Sequence, residues 1–437
     1  MRISVIGCGY LGAVHAVAMT ELGHDVVGID VDATRIASLS EGTAPFFEPE
    51  LDPLLKSALQ SGRLRFSTVA AAASDADVHF LAVGTPQKPD SHSADLTFVD
   101  AAFAAVAAVA KPGSLIAGKS TVPVGTAERL AKDLATLTSE VSLAWNPEFL
   151  REGFAVRDTL EPDRIVYGVE TSAQGEKDVA KLDAVYHEAI KAGTPRLITN
   201  FATSELVKVS ANAFLATKIS FINAIGEIAD ITGADITELA DAIGHDVRIG
   251  RRFLNAGVGF GGGCLPKDIR AFAARAEELG RASSLAFLNE VDAINLRQRQ
   301  RVVDLAVELL GGSVNQRRVA ILGVAFKPNS DDVRDSPALA VAVQLKGLGA
   351  DVVATDPEGI DNARRQHPQL SYEPSVESAL DGAELVILVT EWQEYREIDP
   401  VSIGSIVAGR IIIDGRNALD PSRWRESGWT YRGLGRP

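Results

Sequence analysis

One stretch of the chain has the makings of covalent chemistry. Residues 257–268 read GVGFGGGCLPKD, five glycines and one of only two cysteines within twelve positions. Beyond Pro266 the residues Ile269, Phe272, Ala273, Ala276 and Leu279 recur at helical spacing, so a helix is expected to start beside Cys264. Unpaired N–H groups at a helix start favour a thiolate, and glycines let a backbone approach a ligand closely. That combination builds a nucleophile. Taken alone, a cysteine before a helix is more often a small buried hydrophobe in a tight turn, so the rest of the chain has to decide.

The elements around this stretch begin at the N-terminus. An apolar strand at Arg2 to Ile6 runs into Gly7-Cys8-Gly9-Tyr10-Leu11-Gly12, then a helical run to Leu22, Gly23 as its stop, and a strand from Val26 to Ile29 that ends in Asp30. Strand, G-x-G-x-x-G, helix, strand and acid is the order that a dinucleotide site needs. Gly7 and Gly9 give the turn and room for a pyrophosphate, Gly12 lets helix and strand pack closely, and Asp30 accepts from the adenosine ribose. The acid favours NAD over NADP, with Arg35 near enough to weigh the other way. Cys8 fills a variable loop position and reads as packing.

Further strands are expected at Val78 to Val83, Ser114 to Lys119 and Ser142 to Trp145, separated by helices such as Phe98 to Ala110 and Thr126 to Leu137. Each strand ends in a small or polar cluster, at Gly84-Thr85-Pro86, Ser120-Thr121-Val122-Pro123 and Asn146-Pro147-Glu148-Phe149. Ligands of an open parallel sheet bind beyond its carboxyl ends. Thr121, Glu148 and Glu152 are therefore candidates for the reacting end, although each alone fits an ordinary turn or cap.

From Thr203 an apolar helical pattern runs to Gly233, long enough to cross between domains or subunits. Lys208 and Asn212 are four apart on it and share a face, with Glu205 near the same stripe. A second long helix is expected from Ala286 to Leu310. From Arg318 the opening pattern returns, with a degraded Gly323-Val324-Ala325-Phe326-Lys327, a longer loop carrying Arg334, a helix from Pro337 to Leu348, and a strand from Val352 to Asp356. Strands at Leu385 to Val389 and Arg410 to Asp414 follow, the last leading into Gly415-Arg416-Asn417. Lys327 and Arg416 then stand at strand ends, where an anionic ligand would meet them. The expected fold is α/β: two Rossmann-like doubly wound parallel-sheet domains joined by a central helical domain with a long helix.

Composition narrows the classes of function. The 437 residues exceed one ordinary core, and 46% hydrophobic with 23% charged residues suits a soluble globular protein. A net charge of −15 argues against nucleic acid. Apolar runs such as Ala101 to Ala110 are too short to span a bilayer. The start, MRISVIGCGY, lacks signal-peptide regions, so a cytoplasmic protein is expected. The two cysteines have neither disulfide nor metal-ligand arithmetic, and no metal is expected.

A hydride-accepting cofactor beside a thiolate performs a four-electron oxidation. An alcohol goes to an aldehyde, the thiolate adds to give a hemithioacetal, a second hydride leaves a thioester, and water frees an acid. At this point the motifs GCGYLG, VGTP, KSTVPVGT, NPEFLREG, GVGFGGGCLPKD, GVAFKPNSDDVRDSP and IIDGRN, with the Lys208–Asn212 helix, resemble the UDP-glucose/GDP-mannose dehydrogenase family over essentially the whole chain. The resemblance implies an NAD-binding domain at 1–200, a central helical dimerisation domain at 201–312, and a UDP-sugar-binding domain at 313–437, in a homodimer or higher homo-oligomer.

It implies Cys264 as the nucleophile, Lys208 as oxyanion stabiliser or base with Asn212 beside it, Asp268 holding a water with Thr121 alongside, and Glu148 in thioester hydrolysis. Lys267 matches the adjacent lysine of the family's CLPKD motif. Glu148, Phe149, Leu150, Lys208, Asn212, Phe253, Phe260, Gly261, Lys327 and Arg416 are implied against the substrate, with Arg248 reaching it from a neighbouring subunit. Gly7, Gly9, Tyr10, Leu11, Gly12, Asp30, Arg35, Thr85, Thr121, Glu152 and Arg334 are implied against NAD. CLPKD departs from the pattern that goes with N-acetylated hexosamines. The segment from Asp246 to Gly250 and the following Arg251-Arg252-Phe253-Leu254 tip the substrate to UDP-glucose rather than GDP-mannose, while Asn255 stands where some relatives carry a phosphate-touching lysine. The other readings are a 3-hydroxyacid dehydrogenase, which needs neither Cys264 nor the last domain, and a non-catalytic nucleotide binder.

Overall fold

The computed structural model describes residues 1–138 and 140–436, and the chain divides into two compact units that meet in sequence between Ala211 and Asn212. That boundary falls inside the long helix Phe201–Thr232. Among the described residues, the strands of the first unit are β1 (Arg2–Ile6), β2 (Asp25–Ile29), β3 (Leu64–Ser67), β4 (Val78–Leu81), β5 (Leu115–Gly118), β6 (Ser142–Trp145), β7 (Ile165–Gly168) and β8 (Arg196–Thr199). They form one sheet in the order β3-β2-β1-β4-β5-β6-β7-β8.

Every join is parallel except β6–β7, where Trp145 faces Gly168. Strands such as VHFL and LIAG are buried along their whole length, as strands covered on both faces must be. Alternation then splits the core in two. Leu115 and Ala117 pack with the helix Tyr10–Glu21 on one face, and Ile116 packs with the helices Thr97–Ala107 and Thr126–Leu137 on the other. The strand order reverses between β1 and β4, so the loops after β1, β4, β5 and β6 surround the switch point where a doubly wound sheet takes its ligand.

The second unit contains the helices Leu265–Glu278 and Phe287–Leu309 and a six-stranded sheet. Its strands are β9 (Arg318–Leu322), β10 (Asp351–Thr355), β11 (Ser371–Tyr372), β12 (Leu385–Leu388), β13 (Ile411–Asp414) and β14 (Thr430–Gly433), in the order β11-β10-β9-β12-β13-β14. The internal repeat expected from sequence is present in atomic detail. The Gly7 N–H donates to Ile29 O and the Gly323 N–H to Thr355 O, both at 2.8 Å. The Cys8 N–H reaches Asp30 and the Val324 N–H reaches Asp356, both at 2.7 Å.

Two glycines of the first turn are held by different constraints. A Cβ on Gly12 would stand 1.7 Å from the Gly7 carbonyl oxygen, whereas one on Gly9 would meet nothing within 4 Å. The first contact is with backbone and has no rotamer to escape into. Gly12→Ala is therefore expected to destabilise the first unit by about 1–3 kcal/mol or more, read as a lower urea midpoint. Gly9→Ala should leave that midpoint unchanged and weaken nucleotide binding alone; equal midpoints for the two variants would refute the packing argument.

Candidate active site

In the first unit, the acid expected to meet a ribose is deeply set. Asp30 Oδ2 accepts from the Cys8 N–H at 2.7 Å and from Arg35 Nη1 at 2.9 Å, and its Oδ1 accepts from the Asp32 N–H at 3.0 Å. Arg35 thus spends its charge on Asp30. Cys8 is buried and its thiol is pushed far above its ordinary range, chiefly by burial, so its reading as packing holds. Thr85 Oγ1 donates to the Thr121 carbonyl at 2.8 Å and ties the loops after β4 and β5 together. Glu205 is buried on the long helix, and its two oxygens accept from the Gly125 and Ala127 N–H groups, each at 2.7 Å. It closes the start of the helix Thr126–Leu137 and holds the loop that carries Thr121.

The loop after β6 brings several candidates together. Glu148 accepts from Lys208 Nζ at 3.0 Å and from the Leu150 N–H at 2.7 Å. The Phe149 ring has the Arg164 guanidinium 3.8 Å from its centroid and Lys208 Nζ at 5.6 Å. Glu152 is buried just beyond. Two residues that hold this loop escaped the sequence reading. Lys119, at the end of β5, is buried and donates to Asn146 Oδ1 at 3.0 Å, the Asn146 carbonyl at 3.3 Å and Tyr186 Oη at 3.1 Å. Burial pushes its ammonium down to about 8, with Glu148 raising it and Lys208 lowering it. Glu48 is buried too, and accepts from the Gly153 and Ala155 N–H groups, each at 2.6 Å, and from the Tyr10 hydroxyl. Lys119 had one available signal, a lysine closing the apolar run LIAG. Glu48 had none, because its backbone partners lie more than a hundred residues away and Tyr10 lies in a different element.

In the second unit, Cys264 is exposed and directly precedes the helix Leu265–Glu278, as its sequence context requires. Asp268, one turn on, is buried between Asn212 Nδ2 at 2.6 Å and Lys267 Nζ at 2.5 Å. The structure thus brings Asn212 and Asp268 into one cluster. Phe260 is held through its N–H by Asn295 Oδ1 at 2.7 Å and through its carbonyl by Asn295 Nδ2 at 3.0 Å and Arg299 Nη2 at 3.2 Å.

The glycines expected to clear space for a ligand clear it largely for the protein itself. A Cβ on Gly261 would fall 2.3 Å from the Asp335 carbonyl, and one on Gly263 would fall 2.3 Å from the Arg334 guanidinium carbon. The remaining implied residues are placed as follows. Arg334 pairs with Asp332 at 2.7 Å, and Lys327 Nζ lies 5.2 Å from the Phe326 ring centroid. Arg416 donates to the carbonyls of Val389 at 2.6 Å, Gly259 at 2.9 Å and Phe326 at 3.0 Å, so it laces three loops together. Phe253 adopts φ 67°, unusual for a bulky side chain, and Arg248 is exposed and paired with Asp246 at 2.6 Å.

Residues 1–190 match the NAD binding domain of the UDP-glucose/GDP-mannose dehydrogenase family, residues 202–297 its central domain, and residues 320–421 its UDP binding domain. The chain belongs to this family. It is 38% identical over 440 residues to a UDP-glucose 6-dehydrogenase of Rhizobium meliloti (strain 1021), covering all of both chains. A UDP-glucose 6-dehydrogenase of Pseudomonas aeruginosa is also 38% identical, over all of this chain and 98% of its own. The solved structure of a UDP-glucose dehydrogenase from the hyperthermophilic archaeon Pyrobaculum islandicum is 40% identical, with a TM-score of 0.90 over all of this chain and 98% of that one.

As a member of the UDP-glucose/GDP-mannose dehydrogenases, the protein takes NAD in its first unit, and the residues present fit it. The open space at Gly9 before the helix Tyr10–Glu21 leaves room for a pyrophosphate, and the buried carboxylate of Asp30 stands just after the adjoining strand, where a ribose would be met. Among the described residues no helix is long and apolar enough to cross a membrane.

The buried ammonium of Lys119 has a measurable consequence. Its pKa is lowered in the folded chain from 10.5 to about 8, so between those values the unfolded chain holds a proton that the folded chain has released, and stability from this group rises with pH across that window. Relative to Lys119→Met, the wild type should gain up to about 3 kcal/mol from pH 8 to 10.5 in urea unfolding. A difference that stays flat over this window would contradict the burial argument.

Proposed function

We propose that this protein oxidises UDP-glucose to UDP-glucuronate in two NAD-dependent steps at one site. The observation that carries the reading is a cysteine at a helix start, one turn before a buried Asp268 that is bonded to Asn212 and Lys267, in a chain whose whole length matches enzymes named for this substrate.

NAD supplies the hydride acceptor for both oxidations. After the first, the Cys264 thiolate adds to the C6 aldehyde, forming a C–S bond while the carbonyl oxygen gathers negative charge. Lys208 and Asn212, one helical turn apart, stabilise that oxyanion with a cation and an amide donor. The second hydride leaves from the hemithioacetal carbon and gives a thioester. Water held by Asp268, with Thr121 alongside, then attacks the thioester carbon; the C–S bond breaks, Cys264 is freed, and Glu148 assists by taking the water's proton. Lys208 Nζ and Glu148 Oε1 are 3.0 Å apart, so the groups assigned to the two halves of the reaction stand side by side.

The same reading assigns residues 1–200 to NAD, 201–312 to the central helical domain, and 313–437 to the UDP-sugar, with Phe149, Leu150, Phe253, Phe260, Gly261, Lys327 and Arg416 on the substrate side and Glu152, Arg35 and Arg334 on the cofactor side. It also makes the protein cytoplasmic, where NAD and nucleotide sugars are found. The long helix exposes Phe214, Phe221 and Ile228 at heptad spacing, with Ile231 beside them, an apolar stripe suited to a second copy of the chain. Arg248, exposed on its loop, is then available to a neighbouring subunit's substrate.

Counting NADH at 340 nm against limiting UDP-glucose is the test. Two NADH per sugar are expected, with none from GDP-mannose; one NADH per UDP-glucose would remove Cys264 from the chemistry, and two from GDP-mannose alone would reassign the substrate. Cys264→Ser should carry out at most the first oxidation and form no acid, and full turnover by that variant would sink the covalent route. Light scattering should give a native mass of at least twice 46.3 kDa, and a monomer would refute the dimer.

A further inference from the structure

The carboxylate of Glu48 lies at the meeting point of three segments that are distant in sequence. It belongs to the loop before the helix Leu51–Gln60. Its Oε1 accepts from the Ala155 N–H and its Oε2 from the Gly153 N–H, each at 2.6 Å, across the start of the helix Ala155–Leu160. Oε2 also accepts from the hydroxyl of Tyr10, which belongs to the glycine-rich turn, and that same hydroxyl oxygen accepts from the Gly153 N–H at 3.1 Å. The Tyr10 ring packs on Phe46 with centroids 4.9 Å apart, so the loop carrying Glu48 grips both the ring and the hydroxyl of Tyr10.

Glu48 is 6% exposed. A buried anion costs several kcal/mol unless donors meet it, and these are donors whose only common role is to fix one loop against another. The loop so fixed is 146–153, which carries Glu148 and, one residue before the clamp, the buried Glu152. The turn it is fixed against is the one with open space at Gly9.

We propose that Glu48 is a positioning residue for NAD: through Tyr10 on one side and Gly153 and Ala155 on the other, it sets the distance between the pyrophosphate turn and the loop that bears Glu152. This rests on the reading of the first unit as the NAD site. Glutamine at this position keeps the shape, but its amide nitrogen must face one of the two backbone N–H groups, which opens that side of the clamp. Tyr10→Phe keeps the carboxylate on Gly153 and Ala155 and removes only the link to the turn.

NADH fluorescence titration of the whole protein, without substrate, separates the possibilities. Glu48→Gln is expected to raise the NADH Kd by about tenfold or more, the size of one lost charged hydrogen bond, and Tyr10→Phe to raise it in the same direction by less. In the double variant the two effects should fall short of additive, because both break one network. In steady state, Glu48→Gln should raise the KM for NAD more than the KM for UDP-glucose. If Glu48→Gln fails to fold, Tyr10→Phe and its KM split carry the test alone. Wild-type Kd values in folded variants would overturn the proposal, as would a lowered thermal midpoint with the Kd unmoved, which is the signature of a scaffold role. Failure of the wild type to bind NADH would instead overturn the cofactor reading beneath it.

Discussion

Buried carboxylates that accept backbone N–H groups hold this molecule's ligand-side loops in place. Asp30 grips Cys8 in the turn after β1, Glu205 grips Gly125 and Ala127 after β5, and Glu48 grips Gly153 and Ala155 after β6. In the second unit Asp356 takes Val324 and Ala325, and Asp414 takes Arg416 and Leu419. Hydrogen bonds to a charged acceptor are about twice as strong as neutral ones, and the first-turn N–H groups of a helix carry a partial positive charge besides. Each carboxylate therefore recovers the cost of its burial only while its loop stays in one conformation. That couples the stability of each unit to the geometry of its strand-end loops, which is what a site built on loops requires.

The same device explains how two copies of one pattern came to differ. Both begin with a glycine donating to the end of the neighbouring strand and a residue donating to an acid. In the first unit the acid is followed by Arg35, and Gly9 leaves open space. In the second, Ala325 stands where Gly9 did, and Asp356 takes in the Ala325 N–H at 3.0 Å, the Trp392 indole N–H at 3.1 Å and the Gly359 N–H at 2.7 Å. Asp356 thus takes five donors from its own chain, counting the Val324 and Glu358 N–H groups, where Asp30 takes three, leaving it less capacity for an outside hydroxyl.

What was legible in the chain divides along sequence separation. The strands Arg2–Ile6 and Ser142–Trp145 and the helix Thr126–Leu137 have the ends their patterns predict, because periodicity, glycine stops and caps act within a few residues. The strands at Leu64–Ser67, Ile165–Gly168 and Arg196–Thr199 were not read from the sequence; LRFS and RLIT carry an arginine and are only partly buried or exposed, so no apolar run marks them. At the site, Cys264, Asn212 and Asp268 announced themselves by motif, and the structure adds that the last two touch. Glu48 and Lys119 did not, since a glutamate between prolines and a lysine after a strand read as surface until the partners are known.

The glycine-rich approach to Cys264 shows where local reading and packing part. Glycines ahead of a nucleophile suggest a cradle, yet Gly259 and Gly262, both at positive φ, abut Asn295 and the Phe326 ring, and Gly263 lies beneath Arg334. A segment that backs onto its own unit at nearly every glycine cannot shift without a clash, and Asn295 and Arg299 hold Phe260 from the helix Phe287–Leu309 as well. The backbone leading to Cys264 is thereby held on both sides. A cysteine presented from so fixed a backbone keeps its position relative to the rest of its unit, which a loose glycine loop would not ensure.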